Sequence, residues 1–410
     1  MPWPADPSLP TDLLFSGLKV IDAGSWVAGP AAATILADFG ADVIKIEQPG
    51  AGDGYRALHA GPRSPQSEID YMWLADNRNK RGIVLNLATP EAMAVLHELV
   101  RECDVYLTNQ PLGQRRRFGL MYDDLAPLNP GMIYASLTAF GEEGDEAENE
   151  GFDANAYWAR SGMMEDVRAP GAAPSWSVPG QGDHPTATAT YASIVTGLLY
   201  RDRTGRGTRV HTSLLANGAW ANLCLAQGAL IGADFTRRRA PFDLPPFRLP
   251  YETADGRILQ LAMLRTDDLF IRLLAELGDP PLLDDPRFAT TEARAEHAAA
   301  LVEALGARLR QRTAAEWFAL LRPLGLPVDV ITRTEDIGSD AQMRAIGALV
   351  PPSDPAVPAP LVVNHPINVD GAGRVGPRRA PAQGEHTREV LRALGRTDAE
   401  IEDFVARGVV

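Results

Sequence analysis

The chain has 410 residues and a formal net charge of −14 at pH 7, with apolar and charged fractions that are ordinary for a globular protein. Its acidic balance argues against nucleic acid or an anionic membrane as the main partner, because both bind basic surfaces. The length predicts two domains, or one large domain with an insertion.

Cysteine content and the first residues bear on the cellular compartment. Cys103 and Cys224 are the only cysteines, and their number and spacing suit neither a disulfide framework nor a zinc site. Residues 1–6 lack the basic start and apolar core of an export signal, and no run of about 18 apolar residues occurs in the sequence. We therefore expect a cytoplasmic protein with no metal and no membrane partner.

The N-terminal part of the chain alternates between strand-like and helix-like segments. The apolar segments predict strands at residues 18–23, 42–47, 83–87, 104–108 and 132–138. Helices are expected at Ala31–Phe39, after Pro30, and from Thr89 to about Arg101. Strand, helix, strand units produce parallel strands, so this part predicts a doubly wound α/β domain with ligands at the carboxyl ends of its strands.

The loop after the first strand bears on the choice of cofactor. It offers Gly24 and Gly29, without the Gly-x-Gly-x-x-Gly spacing of dinucleotide-binding loops. A nicotinamide cofactor is accordingly disfavoured.

Two basic clusters could contact an anionic group instead. Residues 77–81 precede the third strand at the predicted lip of the sheet, and residues 115–117 are three consecutive arginines. A solvated basic turn is the alternative for the first cluster.

The character of the sequence changes after Gly232. Asp255-Gly256 indicates a hairpin turn, and helical patterns follow at about 267–276, 292–311 and 313–323. We expect residues 225–330 to form a smaller inserted α+β domain. Residues 1–224 and 331–410 would then form one large domain with a mostly parallel sheet, built from the N- and C-terminal parts of the chain.

Asp153 is the candidate nucleophile. It precedes a run of helix formers at residues 154–161 that ends at Gly162, so it is predicted to cap a helix. The partial positive charge of a helix N-terminus favours an ionised carboxylate that can attack a substrate. The alternative is that Asp153 only satisfies backbone N–H groups.

Two neighbouring features accompany this candidate. The loop at residues 142–150 carries six carboxylates and predicts a solvated, mobile connection. Asp183 or His184, ahead of Pro185, is predicted to cap a second helix.

An ordered set of short motifs runs through nearly the whole chain, although no single one is specific. Among them are Gly151-Phe152-Asp153 and Gly182-Asp183, and the others are residues 17–22, 28–30, 40–47, 79–81, 204–207 and 384–387. As a set they resemble the family III CoA-transferases of the CaiB/BaiF type. This family contains formyl-CoA transferase, carnitine CoA-transferase and bile-acid CoA-transferases, and α-methylacyl-CoA racemase is a relative.

The resemblance implies an acyl-CoA:carboxylate CoA-transferase with Asp153 as its catalytic residue. The carboxylate would form an acyl anhydride with the donor and then an aspartyl-CoA thioester, from which the acceptor acid takes the CoA. Because the thioester conserves the activation of the donor, no tightly bound cofactor, ATP or metal is needed. The resemblance also implies an interlocked homodimer whose other partners are an acyl-CoA and a carboxylic acid.

The same resemblance implies a set of contacts with coenzyme A. The residues concerned are Ala28, Lys80, Arg81, Asn109 and Arg117. Asp183 is a secondary candidate. Val27 and Gln48 replace the Gln and Arg of formyl-CoA transferase-like members, which puts a formyl/oxalate substrate pair in doubt.

Two other functions compete with the transferase. A racemase or epimerase of 2-methylacyl-CoA would exchange an α-proton between two bases, and racemase-like members carry His where this chain has Phe152, although Asp183 remains. A catalytically silent CoA-binding subunit is the third alternative, because a fold does not guarantee chemistry.

Overall fold

The structure is a computed structural model that describes residues 2–169, 171–236, 246–262, 266–277, 282 and 284–410. The chain divides into two compact units, one formed by Met1–Ile231 with Gln342–Val410 and the other by Gly232–Ala341. This division falls somewhat later in the chain than the predicted domain boundaries after residues 224 and 330.

The first unit contains six strands that form one sheet. They are β1 (Lys19–Asp22), β2 (Asp42–Glu47), β3 (Arg81–Val84), β4 (Val105–Thr108), β5 (Ile133–Thr138) and β6 (Thr208–Ser213). Their order is β3-β2-β1-β4-β5-β6, and every pairing is parallel. The order changes direction between β1 and β4, where such sheets open a crevice at their carboxyl ends. The predicted doubly wound α/β fold is confirmed.

Helices connect and cover these strands. The α-helices before residue 231 are α1 (Ala28–Asp38), α2 (Tyr71–Asn77), α3 (Pro90–Glu102), α4 (Leu112–Phe118), α5 (Tyr122–Leu125), α6 (Met163–Asp166), α7 (Asp183–Thr204), α8 (Leu214–Ala221) and α9 (Leu223–Leu230). A 3₁₀ helix spans Gly54–Ala60, and a π-helix spans Asp153–Ala159. The predicted helix at residues 154–161 is therefore present, but with π geometry.

Strands β1 to β5 of the sheet are buried on both faces, whereas β6 is more accessible. Val20 packs in a layer with α1 and α7, whereas its neighbour Ile21 packs with α3 and with the C-terminal residues Val390 and Ile401. Successive side chains of a strand point to opposite faces, so Val20 and Ile21 bury the two faces of the sheet against different helices.

The C-terminal segment returns to the sheet. It contains a short antiparallel pair, Leu349–Val350 with Val362–Val363, and helices at Ala341–Ala345, Thr387–Ala393 and Asp398–Ala406. His386 and Thr387 cover the edge strand β3, because Gly82 N–H donates to His386 Nδ1 at 3.1 Å and Val84 N–H donates to Thr387 Oγ1 at 3.0 Å. These bonds satisfy an edge that would otherwise be exposed.

The second unit combines a small sheet with helices. Strands β7 (Pro250–Glu252), β8 (Ile258–Leu261) and β9 (Val328–Val330) are antiparallel and adjacent in that order. Its α-helices span Thr266–Leu277, Thr291–Glu296, Ala298–Leu309 and Ala314–Leu321. Its 3₁₀ helices span Pro246–Arg248, Pro286–Phe288, Arg322–Leu324 and Thr334–Ser339. Leu259, Leu305 and Trp317 are in its core. No helix in the described ranges is long and apolar enough to cross a membrane.

Candidate active site

A cavity of about 770 Å³ opens at the carboxyl ends of the parallel strands. Its lining includes the residue that directly follows each of the six strands, which are Ala23, Gln48, Leu85, Asn109, Ala139 and Leu214 in the order β1 to β6. This size lies within the range of small-molecule sites, and the position is the one that the fold favours for ligands.

The first loop of the sheet forms one wall of the cavity and is held from three sides. Asp22 Oδ1 accepts the Gly24 N–H at 3.0 Å, and Asp53 Oδ1 accepts the Trp26 N–H at 2.9 Å. Asn109 makes two bonds with Ser25, accepting its N–H at 2.7 Å and donating to its carbonyl at 2.8 Å. The loop is thus fixed before any ligand binds, although Trp26 has a left-handed backbone with φ of 63°.

Two buried lysines bond to the groups that hold this loop. Lys45 pairs with Asp53 at 2.8 Å and also donates to the Gly24 carbonyl, and Lys80 pairs with Asp22 at 2.8 Å. Burial lowers the pKa of Lys45, but the neighbouring Asp22 and Asp53 charges outweigh burial and the net pKa shift is upward. Each buried ammonium therefore has a carboxylate partner within the protein, and the two ion pairs stabilise the loop.

Lys80 and Arg81, which the resemblance implied as contacts with CoA, lie outside the lining of the cavity. Both are buried. Lys80 also donates to the carbonyls of Pro30 and Asp76, and Arg81 Nη2 donates to both carboxylate oxygens of Asp42 at 2.8 and 2.9 Å. In this arrangement their charges are neutralised by carboxylates within the protein.

The first basic cluster is a turn between α2 and β3, but it is buried and not solvated. Asn77 ends α2 and Arg81 begins β3, two residues earlier than the predicted start of that strand. Arg78 pairs with buried Asp38 at 2.7 Å. The three basic side chains of this segment each pair with a buried carboxylate that is distant in sequence. The local sequence pattern could not reveal these pairs for that reason.

The three arginines at residues 115–117 have three different environments. Arg115 is fully buried and donates to the carbonyls of Gln110 and Leu137. Arg116 pairs with Glu148 at the surface. Arg117 lines the cavity, and no carboxylate pairs with it among the residues that the structure describes. Arg117 is therefore the member of the cluster that can meet an anionic ligand.

Two further expected contact residues also line the cavity. Ala28 begins α1 and Asn109 follows β4, so the two lie on either side of the switch between β1 and β4. Val27 and Gln48, which differ from formyl-CoA transferase-like members, line the same cavity.

Asp153 lies beside this cavity at the start of the π-helix. Phe152, with extended backbone angles, occupies the capping position, and Asn155 Oδ1 accepts its N–H at 2.7 Å. The prediction that Asp153 itself caps the helix is wrong, because Phe152 is the capping residue and Asp153 is the first residue inside the helix. Gly151 and Phe152 line the cavity, whereas Asp153 is only 8% exposed and is not itself part of the lining.

Gly182 holds the carboxylate of Asp153. Its backbone N–H donates to Asp153 Oδ2 at 3.1 Å, and Oδ1 has no hydrogen-bond partner among the described residues. A Cβ at Gly182 would come within 2.6 Å of Tyr157 Cγ and 2.8 Å of Asp153 Cβ. The Gly in this motif is thus required by close packing, and the N-terminus of the 22-residue helix α7 points its partial positive charge towards the carboxylate.

Asp183 follows directly and lines the cavity. It is the first residue of α7 rather than its cap, because Gly182 precedes the helix and Asp183 makes no capping bond. Its carboxylate has no hydrogen bond or ion pair to any described residue. Burial and the nearby negative charge of Asp153 raise the pKa of Asp183 to about 7. The carboxylates of Asp153 and Asp183 therefore lie close enough to interact electrostatically, next to Gly182.

The acidic loop is tied down, contrary to the expected mobile connection. Glu142 pairs with Arg209 at 2.9 Å, Glu146 pairs with Arg160 at 2.9 Å, and Glu148 pairs with Arg116. Ala147, Glu148, Asn149 and Glu150 line the cavity. The loop thus forms part of the wall of the site.

Several residues that shape the site were not anticipated from sequence. They are the buried carboxylates Asp22, Glu47, Asp53 and Asp76. The scarcity of lysine was a usable signal, since two of the three lysines mark the partners of Asp22 and Asp53. Within the described residues, no group of three or more His, Cys, Asp or Glu side chains could hold a metal ion.

Comparison with known proteins gives the family. The sequence model of CoA-transferase family III matches residues 15–387. The chain is 31% identical to an (R)-2-hydroxy-4-methylpentanoate CoA-transferase of Clostridioides difficile, over 97% of this chain and 100% of that protein. It is 31% identical to a succinyl-CoA:glutarate CoA-transferase of Mus musculus, over 100% of this chain and 93% of that protein.

A solved structure agrees with these relatives. The crystal structure of a CaiB/BaiF family protein from Brucella suis has a TM-score of 0.82 and 30% identity, covering 93% of this chain and 99% of that one. With a family match over nearly the whole chain, and with relatives that are named CoA-transferases, the chain belongs to CoA-transferase family III and is a CoA-transferase.

Proposed function

We propose that the protein moves CoA from an acyl-CoA donor to a carboxylic acid acceptor, with Asp153 as the nucleophile. The observation that carries this proposal is the carboxylate of Asp153, which is nearly buried beside the strand-end cavity. One oxygen is oriented by the Gly182 N–H and the other has no partner among the described residues. A carboxylate with one oriented and one free oxygen is arranged to attack a carbonyl carbon.

The reaction proceeds through four acyl transfers. Asp153 attacks the donor thioester carbonyl, CoA thiolate leaves, and an acyl anhydride forms. The thiolate then attacks the aspartyl carbonyl, which releases the donor acid and leaves aspartyl-CoA. The acceptor carboxylate attacks this thioester, and the returning thiolate takes the acceptor acyl group and frees Asp153. No proton is gained or lost overall, and the energy of the thioester is kept in each intermediate.

The surroundings of Asp153 suit the charges and the reactivity of these intermediates. The Gly182 N–H lies at a helix N-terminus, where partial positive charge stabilises the oxyanions that form during each attack. Near-complete burial keeps water from the anhydride, which would otherwise hydrolyse. We assign contacts with CoA to Ala28, Asn109 and Arg117, which line the cavity, and leave out Lys80 and Arg81.

The acids involved are open to a direct screen. The two relatives are named for a 2-hydroxy acid and for a succinyl-CoA:glutarate pair, so we propose substrates from these two classes. Succinyl-CoA and 2-hydroxy-4-methylpentanoyl-CoA would serve as donors, each offered glutarate and (R)-2-hydroxy-4-methylpentanoate as acceptors. Formation of the new CoA ester identifies the pair.

The decisive experiment targets the covalent intermediate. After incubation with the donor, borohydride or hydroxylamine should modify residue 153, and Asp153→Asn should abolish both modification and transfer while CoA binding stays measurable. Glu150→Gln is the matched control, because Glu150 also lines the cavity but has no role in the proposed chemistry. Undiminished turnover in Asp153→Asn would exclude this mechanism.

The two competing activities give different results in the same assay. A racemase would exchange the α-hydrogen of a 2-methylacyl-CoA for deuterium without an acceptor acid. A silent subunit would bind CoA and form no new ester.

We also propose that the chain acts as an interlocked homodimer. Support comes from large apolar side chains in and after α8 and α9 that are exposed in the single chain, with Trp220 at 73%, Leu230 at 81% and Ile231 at 75%. Such surfaces are unusual in monomers and mark association sites. Light scattering should give the mass of two chains, and the mass of a single chain would refute the proposal.

A further inference from the structure

Asp76 is a buried carboxylate that the proposed chemistry does not use. It lies near the end of α2, is 3% exposed, and has partners on both oxygens. Tyr55 donates its hydroxyl to Oδ2 at 2.7 Å, and the Nε2 atom of His184 lies 3.0 Å from Oδ1. A buried charge is retained only when such partners compensate for its lost hydration.

His184 is held through both of its ring nitrogens. Nε2 faces the Asp76 carboxylate, and Nδ1 lies 3.1 Å from the carbonyl oxygen of Gly180. Both neighbours are acceptors only, so both nitrogens must carry hydrogen for both bonds to form, which is the charged form of the ring. The hydrogen bond to Asp76 is the main reason that the pKa of His184 is raised to about 9, and burial opposes it.

The charged ring of His184 is hydrogen-bonded to the turn that leads into α7. The Gly180 carbonyl accepts from the His184 ring and from the His184 backbone N–H, the latter at 3.1 Å. Gly180 has a φ of +77°, and a Cβ there would lie 2.7 Å from the ring. Two hydrogen bonds therefore join the ends of the turn at residues 180–184. Gly182, whose N–H donates to Asp153, lies between these ends.

We infer that Asp76 and His184 are positioning residues that hold the Gly182 N–H in place for catalysis. The inference rests on the proposed function of Asp153 as nucleophile. Neither residue needs to touch a substrate: Asp76 keeps the ring charged and oriented, and the ring keeps the turn in the conformation that presents the N–H. Loss of orientation near a reacting atom costs rate rather than affinity.

This arrangement predicts a dependence on pH. A histidine whose pKa is raised by its partner contributes fully below its ordinary value, near 6.5, and the contribution is lost as the pH rises through about 9. The titratable or charged groups around the pair are Asp183 beside the ring, and Tyr55 and Lys80 beside Asp76. Since burial lowers the pKa of Lys80 to about 8, the test must separate Lys80 from His184.

The experiment compares His184→Ala, His184→Gln and Asp76→Asn with the wild type. The measurements are kcat and KM between pH 6.5 and 10 and the rate of trapping at residue 153, using the donor that the wild type turns over fastest. His184→Ala should lower kcat on the order of 10- to 100-fold with KM nearly unchanged. His184→Gln, whose uncharged amide can still donate to Asp76, should recover part of that loss. It should also remove the fall in kcat near pH 9. Because Lys80 is still present in this variant, loss of the fall would assign it to His184. Asp76→Asn should move the fall towards pH 6.5.

His59→Gln is the matched control. His59 also lies beside a carboxylate, 3.3 Å from Asp70, but has no bond to the turn at residues 180–184. It should leave kcat and the pH profile unchanged.

The outcomes are separable. Because the side chain of His184 is 53% exposed, its variants should fold even if Asp76→Asn does not. An adduct at residue 153 that forms in His184→Ala at the wild-type rate, with the same fall near pH 9, would overturn the inference alone. Absence of any adduct in the wild type would overturn the proposed nucleophile, and the positioning role with it.

Discussion

The backbone N–H of Gly182 donates to Oδ2 of Asp153 across 3.1 Å, although the two residues are 29 positions apart in the chain. This bond joins the π-helix that carries the carboxylate to the N-terminus of α7. The absence of a side chain at residue 182 makes the approach possible, because any Cβ would overlap Tyr157.

Gly182→Ala should therefore damage both stability and catalysis. The added Cβ would lie 2.6 Å from Tyr157 Cγ and 2.8 Å from Asp153 Cβ, and overpacking of this kind costs about 1–3 kcal/mol. We expect a lower Tm and, because Asp153 is displaced, a fall in kcat on the order of 100-fold. Gly131→Ala is the control, since its nearest neighbour, Asn129 Oδ1, lies 3.6 Å away. Wild-type kcat in Gly182→Ala would contradict the packing argument.

Lys80→Met should act on stability rather than on CoA affinity. The substitution leaves the fully buried Asp22 without its ammonium partner, and breaking a buried ion pair costs about 3–5 kcal/mol. The midpoint of the first unfolding transition in urea should fall, and KM for the acyl-CoA should change little in protein that is still folded. An unchanged urea midpoint together with a large rise in KM would show that Lys80 contacts CoA.

Arg117→Ala should have the opposite effect. Arg117 is exposed, lines the cavity and has no carboxylate partner in the described part of the chain, so its loss should alter stability by less than about 0.5 kcal/mol. Loss of a charge-assisted contact with CoA should raise KM about tenfold. Arg116→Ala serves as the comparison, because Arg116 pairs with Glu148 and does not line the cavity. Equal KM values in the two variants would remove Arg117 from the CoA contacts.

Asp183→Asn should stabilise the protein in a manner that depends on pH. Because the folded state raises the pKa of Asp183 to about 7 from an ordinary value of 3.8, ionisation of this group destabilises the fold progressively as the pH rises from about 4 to 7. Replacing the carboxyl by a neutral amide should therefore raise Tm at pH 8, by an amount that corresponds to about 1 kcal/mol or more, and should leave Tm unchanged at pH 4.

The same measurement in an Asp153→Asn background provides the internal check for Asp183. Removing the charge of Asp153 takes away one cause of the raised pKa, next in size after burial. The stabilisation at pH 8 should then shrink. If it does not change, the two carboxylates do not interact and the proposed electrostatic coupling is wrong.

Sequence alone determined the architecture of the first unit and the identity of the site motifs. The strand at Asp42–Glu47 has the predicted bounds, because Val43, Ile44 and Ile46 form a short apolar segment that leaves a local signal. Strand and helix alternation then specified parallel pairing, and the carboxyl ends of the strands indicated where the cavity would lie. The ordered motifs, read as a resemblance, pointed to the family that the comparisons confirm.

Only the tertiary structure decided what each charged residue does. Lys80, Arg81 and Arg115 are as basic in the sequence as Arg117, yet burial beside Asp22, Asp42 and the carbonyls of residues 110 and 137 makes the first three internal. The partners of Lys80, Arg81 and Asp153 come from segments 58, 39 and 29 positions away. Local pattern reports helix and strand because those depend on near neighbours, whereas ion pairing, protonation and access to a cavity depend on which distant segments the fold brings together.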